Sequence, residues 1–128
     1  MILDASALVA IALDEPERER LVARIIQAET VAVGAPTLVE AGIVLSARTG
    51  HDAGAVLSEM LAAADAVVVE FVQRQWREAI STLALFGKGR HPAGLNFGDC
   101  LSYATALVAG EPLLAKGKNF GQTDIDLA

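Results

Sequence analysis

The feature that most constrains this chain is an alternation: short apolar runs are separated by longer stretches with apolar residues at helical spacing. The runs at residues 1–4, 31–34, 67–71 and 112–115 read as strands, and the third is β-branched almost throughout. Residues 5–13, 15–29, 36–49, 53–64, 72–86 and 96–109 read as helices. In the second of these Leu21, Val22, Ile25 and Ile26 share one face, and the third stops at Gly50. Residues 87–95 form a loop rich in Gly and basic residues, and residues 116–128 form a tail with a short final strand. Strands that alternate with helices call for an α/β fold with a mainly parallel sheet. Such sheets hold ligands beyond the carboxyl ends of their strands.

The chain has 128 residues, 53% of them hydrophobic, which fits one domain (residues 1–128) with a core that needs no disulfide. No apolar run is long enough to span a bilayer. The N-terminus has no positive segment ahead of its apolar residues, so a cytoplasmic protein without membrane contact is expected. Cys100 is the sole cysteine and reads as a small buried hydrophobe; it excludes an internal disulfide and a zinc site of thiolates. His51 and His91 lie far apart in loops. A net charge of −6 argues against nonspecific nucleic-acid binding through Lys and Arg. It leaves room for an enzyme that reaches phosphates through metal ions, or for a positively charged partner.

The acids fall at informative places. Asp4 ends the first strand, Glu40 lies in the first turn of the helix after the second strand, and Asp99 lies in the first turn of the helix at 96–109. Asp124 follows the last clear strand. Each has an ordinary reading. Asp4 can cap the first helix. Thr37 with Glu40, and Asn96 with Asp99, each fit a capping box. Asp124 can serve a turn. As a set they fit capping less well, because carboxylates gathered at one sheet edge repel one another. Mg²⁺ or Mn²⁺ offsets that repulsion and prefers oxygen ligands. An oxygen-only acidic site suits phosphodiester hydrolysis, in which one or two such ions activate water and stabilise the leaving oxygen.

At these residues the chain resembles the PIN-domain family, and in particular toxins of the VapC type. The matching segments are MILDASAL at the start, TLVEAGIVLSAR around Glu40, GKGRHPAGLNFGDCLSYATA around Asp99 and PLLAKGKNFGQTDI near the end. The resemblance implies a three-layer α/β/α domain with a mainly parallel central sheet. It also implies a Mg²⁺-dependent endoribonuclease, with Mn²⁺ as a substitute, that acts on structured RNA of the tRNA or rRNA class. The toxin would be a homodimer, blocked by a cognate antitoxin whose basic C-terminal segment fills the groove. Asp4, Glu40 and Asp99 map to catalytic, metal-binding acids, and Ser6 to a polar residue beside them. Two positions depart from the family pattern. Ala5 stands where Thr is usual, and Asn119 where an Asp usually completes four acids. Asn119 or Asp124 then serves as an outer metal ligand.

Basic residues near the acids are candidates for substrate phosphates: Lys88 and Arg90 in the 87–95 loop, and Lys116 after the last strand. Trp76 and Phe86 read as core or dimer contacts, and Tyr103, one turn after Asp99, as core or groove. Two other readings fit parts of the pattern. In a haloacid-dehalogenase-like phosphatase Asp4 would be a covalent nucleophile, although Ser6 stands where that class wants a second Asp. Alternatively, a PIN-like module lacking its fourth acid would be a catalytically weakened binding module.

Overall fold

The computed structural model describes all residues, Met1–Ala128. Four short strands form one sheet: β1 (Ile2–Leu3), β2 (Ala32–Gly34), β3 (Val67–Val69) and β4 (Leu113–Leu114). Their order is β3-β2-β1-β4 and every pairing is parallel, with Ile2 opposite both Ala32 and Leu113. Parallel neighbours need crossovers, and six helices supply them: α1 (Ala5–Ala12), α2 (Arg18–Gln27), α3 (Ala35–Thr49), α4 (Gly54–Ala63), α5 (Gln73–Phe86) and α6 (Phe97–Ala109). From β1 the chain steps outward to β2 and β3, then returns past β1 to β4. The order therefore reverses between β1 and β4, and the crevice at their carboxyl ends is the natural ligand position.

Side chains alternate across the sheet and divide the core in two. Leu3, Val33 and Leu114 pack with Leu8, Leu21, Leu45 and Leu57 on the face covered by α1 to α4. Ile2 and Leu113 pack with Leu95, Tyr103, Ala104 and Phe120 on the face covered by α5 and α6. The result is the expected α/β/α layering. No helix is long and apolar enough to cross a membrane.

The sequence-based boundaries hold to within a few residues, with one consequential exception. The helix expected over 15–29 begins only at Arg18. Asp14 adopts a left-handed φ of 54°, and the Glu15 amide bonds back to Ala10 O at 2.9 Å. Pro16 follows, so Glu15 sits in the turn between α1 and α2 rather than on a helix. The final strand is a single parallel bridge between Leu113 and Leu127.

Candidate active site

Asp4 leaves β1 in an extended conformation and caps α1, accepting the Ser6 amide at 2.9 Å. The same oxygen, Oδ2, accepts the Ser6 hydroxyl at 2.5 Å. Ser6 Oγ in turn accepts the Lys116 amide at 2.9 Å, and the Asp4 amide donates to Leu114 O at 2.9 Å. The carboxyl ends of β1 and β4 are thus stitched together where the strand order reverses. Asp4 is buried, at 3% exposure.

Asp99 forms the expected capping box at the start of α6. Its amide donates to Asn96 Oδ1 at 2.8 Å, and its Oδ2 accepts the Asn96 amide at 2.9 Å. Capping does not exhaust its role. Burial raises its proton affinity; the backbone bond from Asn96 opposes that, and the charge of Asp4 adds to it.

Glu40 departs from the expected capping box with Thr37. The cap of α3 is Gly34, so Thr37 is already inside the helix and Glu40 lies in its second turn. The buried Thr37 hydroxyl sits 3.2 Å from that of Ser102. Freed from capping, the Glu40 carboxylate reaches toward α6, and its Oε2 is buried with no hydrogen-bond partner. Desolvation pushes its pKa above the ordinary carboxylate value, and the charges of Asp4 and Asp99 push it further. Gly98 makes this placement possible: a Cβ there would collide with the Glu40 carboxylate.

Asp4, Ser6, Glu40 and Asp99 line one cleft of ≈ 230 Å³. No three carboxylate, imidazole or thiolate groups close into a ready-made ligand cage. The three acids are wall groups of the cleft, two of them with Oδ2 turned to amides. The donors are nonetheless the hard oxygens that Mg²⁺ or Mn²⁺ takes. One oxygen is orphaned and the charges repel, so the residues present fit such an ion.

The same cleft carries a feature that the sequence did not reveal. Glu15, held in the α1–α2 turn, takes Arg48 Nη1 at 3.0 Å and Lys116 Nζ at 2.5 Å. Lys116 also lies 3.5 Å from Glu17. The hydrogen bond from Lys116 holds the Glu15 carboxyl below its ordinary range, and the same bond raises Lys116. Of the basic candidates, only Lys116 lines the cleft; Lys88 and Arg90 are exposed in their loop away from it.

Asn119 and Asp124, expected as outer ligands, are also not among the lining residues. After β4 the chain turns through Gly117 at φ 96°, leaving Asn119 exposed ahead of the short 3₁₀ turn Phe120–Gln122. The Asp124 carboxylate is engaged by the Tyr103 hydroxyl on α6. Tyr103 therefore belongs to the core, 5.8 Å from the Phe86 ring, rather than to the acid groove.

A second depression, of ≈ 740 Å³, adjoins the acid cleft, and Glu40 and Val44 line both. It is otherwise apolar, formed by α3, α5 and α6 through Val39, Ile43, Trp76, Ile80, Leu83 and Phe97. These side chains stand largely in solvent; Phe97 is 77% and Ile43 66% exposed. Trp76, expected as a core or dimer contact, is half exposed on this face. Cys100 is buried, and burial with the charge of Asp99 pushes its thiol up to about 11.

The model of the PIN domain matches residues 1–126. Ribonuclease VapC28 of Mycobacterium tuberculosis is 42% identical over 129 aligned positions, covering 100% of this chain and 97% of the relative. Ribonuclease VapC of Mycolicibacterium smegmatis is 41% identical, covering 98% and 97%. Among solved structures, Mycobacterium tuberculosis VapC20, a sarcin–ricin loop cleaving toxin, superposes with a TM-score of 0.78 at 18% identity, covering 99% of this chain and 97% of that one. A toxin–antitoxin complex from Klebsiella pneumoniae gives a TM-score of 0.71 at 14% identity, covering 99% and 95%. The chain belongs to the PIN-domain family, among its VapC ribonucleases. The phosphatase alternative, with Asp4 as nucleophile, falls away.

Proposed function

We propose that this protein is a Mg²⁺- or Mn²⁺-dependent endoribonuclease and the toxin of a toxin–antitoxin pair. One observation carries the reading. Three acids from separate segments line a single cleft at the strand-order reversal, and Glu40 keeps a buried, unpartnered oxygen there. Helix capping accounts for Asp4 and Asp99 but not for Glu40.

Asp4, Glu40 and Asp99 would hold the cation. When bound, it would supply positive charge that stabilises charge developing on the phosphate. Ser6 keeps the Asp4 carboxylate in one orientation and ties it to the chain after β4. Gly98 leaves room for Glu40. Glu40 Oε2, buried and without a partner beside Asp4 and Asp99, is the oxygen that such a cation would satisfy.

The substrate is structured RNA of the tRNA or rRNA class. The ribonuclease names of full-length relatives support RNA as the substrate, and the fold shared with a toxin that cleaves the sarcin–ricin loop supports the structured class. The antitoxin carries a basic C-terminal segment that enters the acid cleft, a match to its carboxylates. A second copy of the chain covers the apolar face of α3, α5 and α6, because an unbroken exposed patch of this kind marks an association surface.

The test is direct. The purified chain is incubated with total RNA in Mg²⁺, in Mn²⁺ and in EDTA, and new RNA ends are mapped. Discrete ends that need the cation and vanish in Asp99→Asn are the expected result. Equal cleavage in EDTA, or in Asp99→Asn, sinks the reading; no cleavage under any condition would favour the weakened binding module.

A further inference from the structure

We propose that Arg48 and Lys116 form a binding subsite for an RNA backbone phosphate beside the acid cleft, and that Glu15 occupies it in the free protein. The inference rests on the ribonuclease reading for its ligand and on separate residues for its geometry.

An RNA strand must enter a cleft walled by Asp4, Glu40 and Asp99 on a chain of net charge −6. Cations on the cleft wall are the remedy, and Arg48 and Lys116 are the two that line it. They come from the last turn of α3 and from the segment after β4, and they converge on one carboxylate at 3.0 and 2.5 Å. An ordinary surface ion pair joins two exposed side chains and contributes little. Here the shared partner, Glu15, has a side chain only 19% exposed, and it reaches the cleft from a turn forced by Asp14 and Pro16.

A carboxylate bridging a guanidinium and an ammonium occupies the volume that two phosphate oxygens would take. Arg48 meets Glu15 through Nη1 alone, so its other donors remain for an incoming oxyanion. The subsite also has a fixed register with the acids. The Lys116 amide donates to Ser6 Oγ at 2.9 Å, and Ser6 Oγ donates to Asp4 at 2.5 Å. The Lys116 main chain is therefore anchored beside Asp4, and a phosphate held by its side chain lies along the same cleft as the acids. Glu15 is then a placeholder: it keeps two mobile cations gathered, and the RNA phosphate displaces it.

The placeholder role fixes the sign of three substitutions. The probe is a short fluorescein-labelled RNA stem-loop in EDTA, titrated by anisotropy between about 50 and 200 mM salt. Arg48→Ala and Lys116→Ala each weaken binding severalfold and reduce the magnitude of the salt slope by about one. Glu15→Gln tightens binding by more than Glu59→Gln, which removes the same charge from the exposed face of α4. Arg48→Gln and Lys116→Gln, with thermal melts, guard against loss of fold. In cleavage assays with Mg²⁺, the Arg48 and Lys116 variants raise KM and change kcat little. Unchanged affinity and slope in both alanine variants, no binding by the parent, or Glu15→Gln binding no tighter than Glu59→Gln overturns the subsite. A parent that shows these dependences but cuts no RNA overturns the ribonuclease reading and leaves the subsite standing.

Discussion

Gly98 on α6 faces the carboxylate of Glu40 on α3 with no space for even one carbon between them. The acid lies across the helix start where Asp99 stands one residue on. Gly98→Ala therefore does more than lower flexibility: it pushes Glu40 out of the cleft or α6 away from α3. Overpacking of this kind costs roughly 1–3 kcal/mol, and cleavage should fall at least about tenfold, since displacement of a catalytic group by about 1 Å can cost more than that. The diagnostic is a double-mutant cycle. Glu40→Ala removes the obstacle, so Gly98→Ala in that background should cost little further stability. Additive losses would mean that the two residues do not meet.

The acids also govern how stability depends on pH. Burial and mutual repulsion raise Glu40 and Asp99 above their ordinary values of 4.5 and 3.8. The native state then binds more protons than the unfolded chain between the ordinary and the raised values, so stability falls as pH rises through that window. Without metal, the protein should melt lower at pH 7 than at the ordinary carboxylate values of 4.5 and 3.8 through this contribution. Asp99→Asn should shrink the difference and melt higher at pH 7, and Mn²⁺ should restore stability in the parent more than in the variant. The capping box opposes this, since replacing a first-turn acid gives up roughly 0.3–1 kcal/mol. Melts of both proteins at two pH values, with and without Mn²⁺, read the balance. A variant less stable at pH 7 in EDTA would show that capping outweighs repulsion.

Much of this site was legible in the sequence, and the failures have physical causes. Asp4 and Asp99 sit where a strand becomes a helix, so periodicity and capping rules locate them. Glu40 was placed correctly at the edge but one turn too early, because Thr37 mimics a cap that Gly34 provides. Glu15 was lost to an apparent helix over 15–29, since the left-handed Asp14 leaves no mark in apolar periodicity. Arg48 looks like any base at a helix C-terminus, and the Glu15 that it shares with Lys116 lies 101 positions before that lysine. Asn119 came from the resemblance and Asp124 from its place after the last strand; neither lines the cleft, because the chain turns at Gly117 in a way that spacing does not encode.

Asp124 offers a clean separation between site and scaffold. Its carboxylate accepts the Tyr103 hydroxyl, clasping the tail to α6 on the face opposite α1. Burial, followed by the bond to Asp124, raises the Tyr103 pKa, so the phenol stays a donor across the working range. A hydrogen bond to a charged group contributes about 1.5–3 kcal/mol. Tyr103→Phe and Asp124→Asn should each lower the melting temperature while cleavage stays within about twofold of the parent, allowing for ordinary assay scatter. Loss of cleavage in Asp124→Asn with an unchanged melt would return Asp124 to the metal site.

The apolar face sets the last expectation. Ile43 on α3 and Ile80 on α5 are 66% and 61% exposed, alongside Trp76 and Phe97. Since each gains little burial within one copy, replacing it removes little from the fold of the monomer, and any large effect must come from association. A stable interface of standard size buries about 800 Å² per partner with an apolar centre, and a charge placed there is desolvated without a partner. Light scattering should therefore give a dimer for the parent and a monomer for Ile80→Asp and Ile43→Asp, with circular dichroism unchanged. Adding apolar area elsewhere should not rescue the dimer. A parent that is monomeric at high concentration, or an Ile80→Asp variant that remains dimeric, would leave this face to another partner, and co-purification with the antitoxin would be the next place to find it.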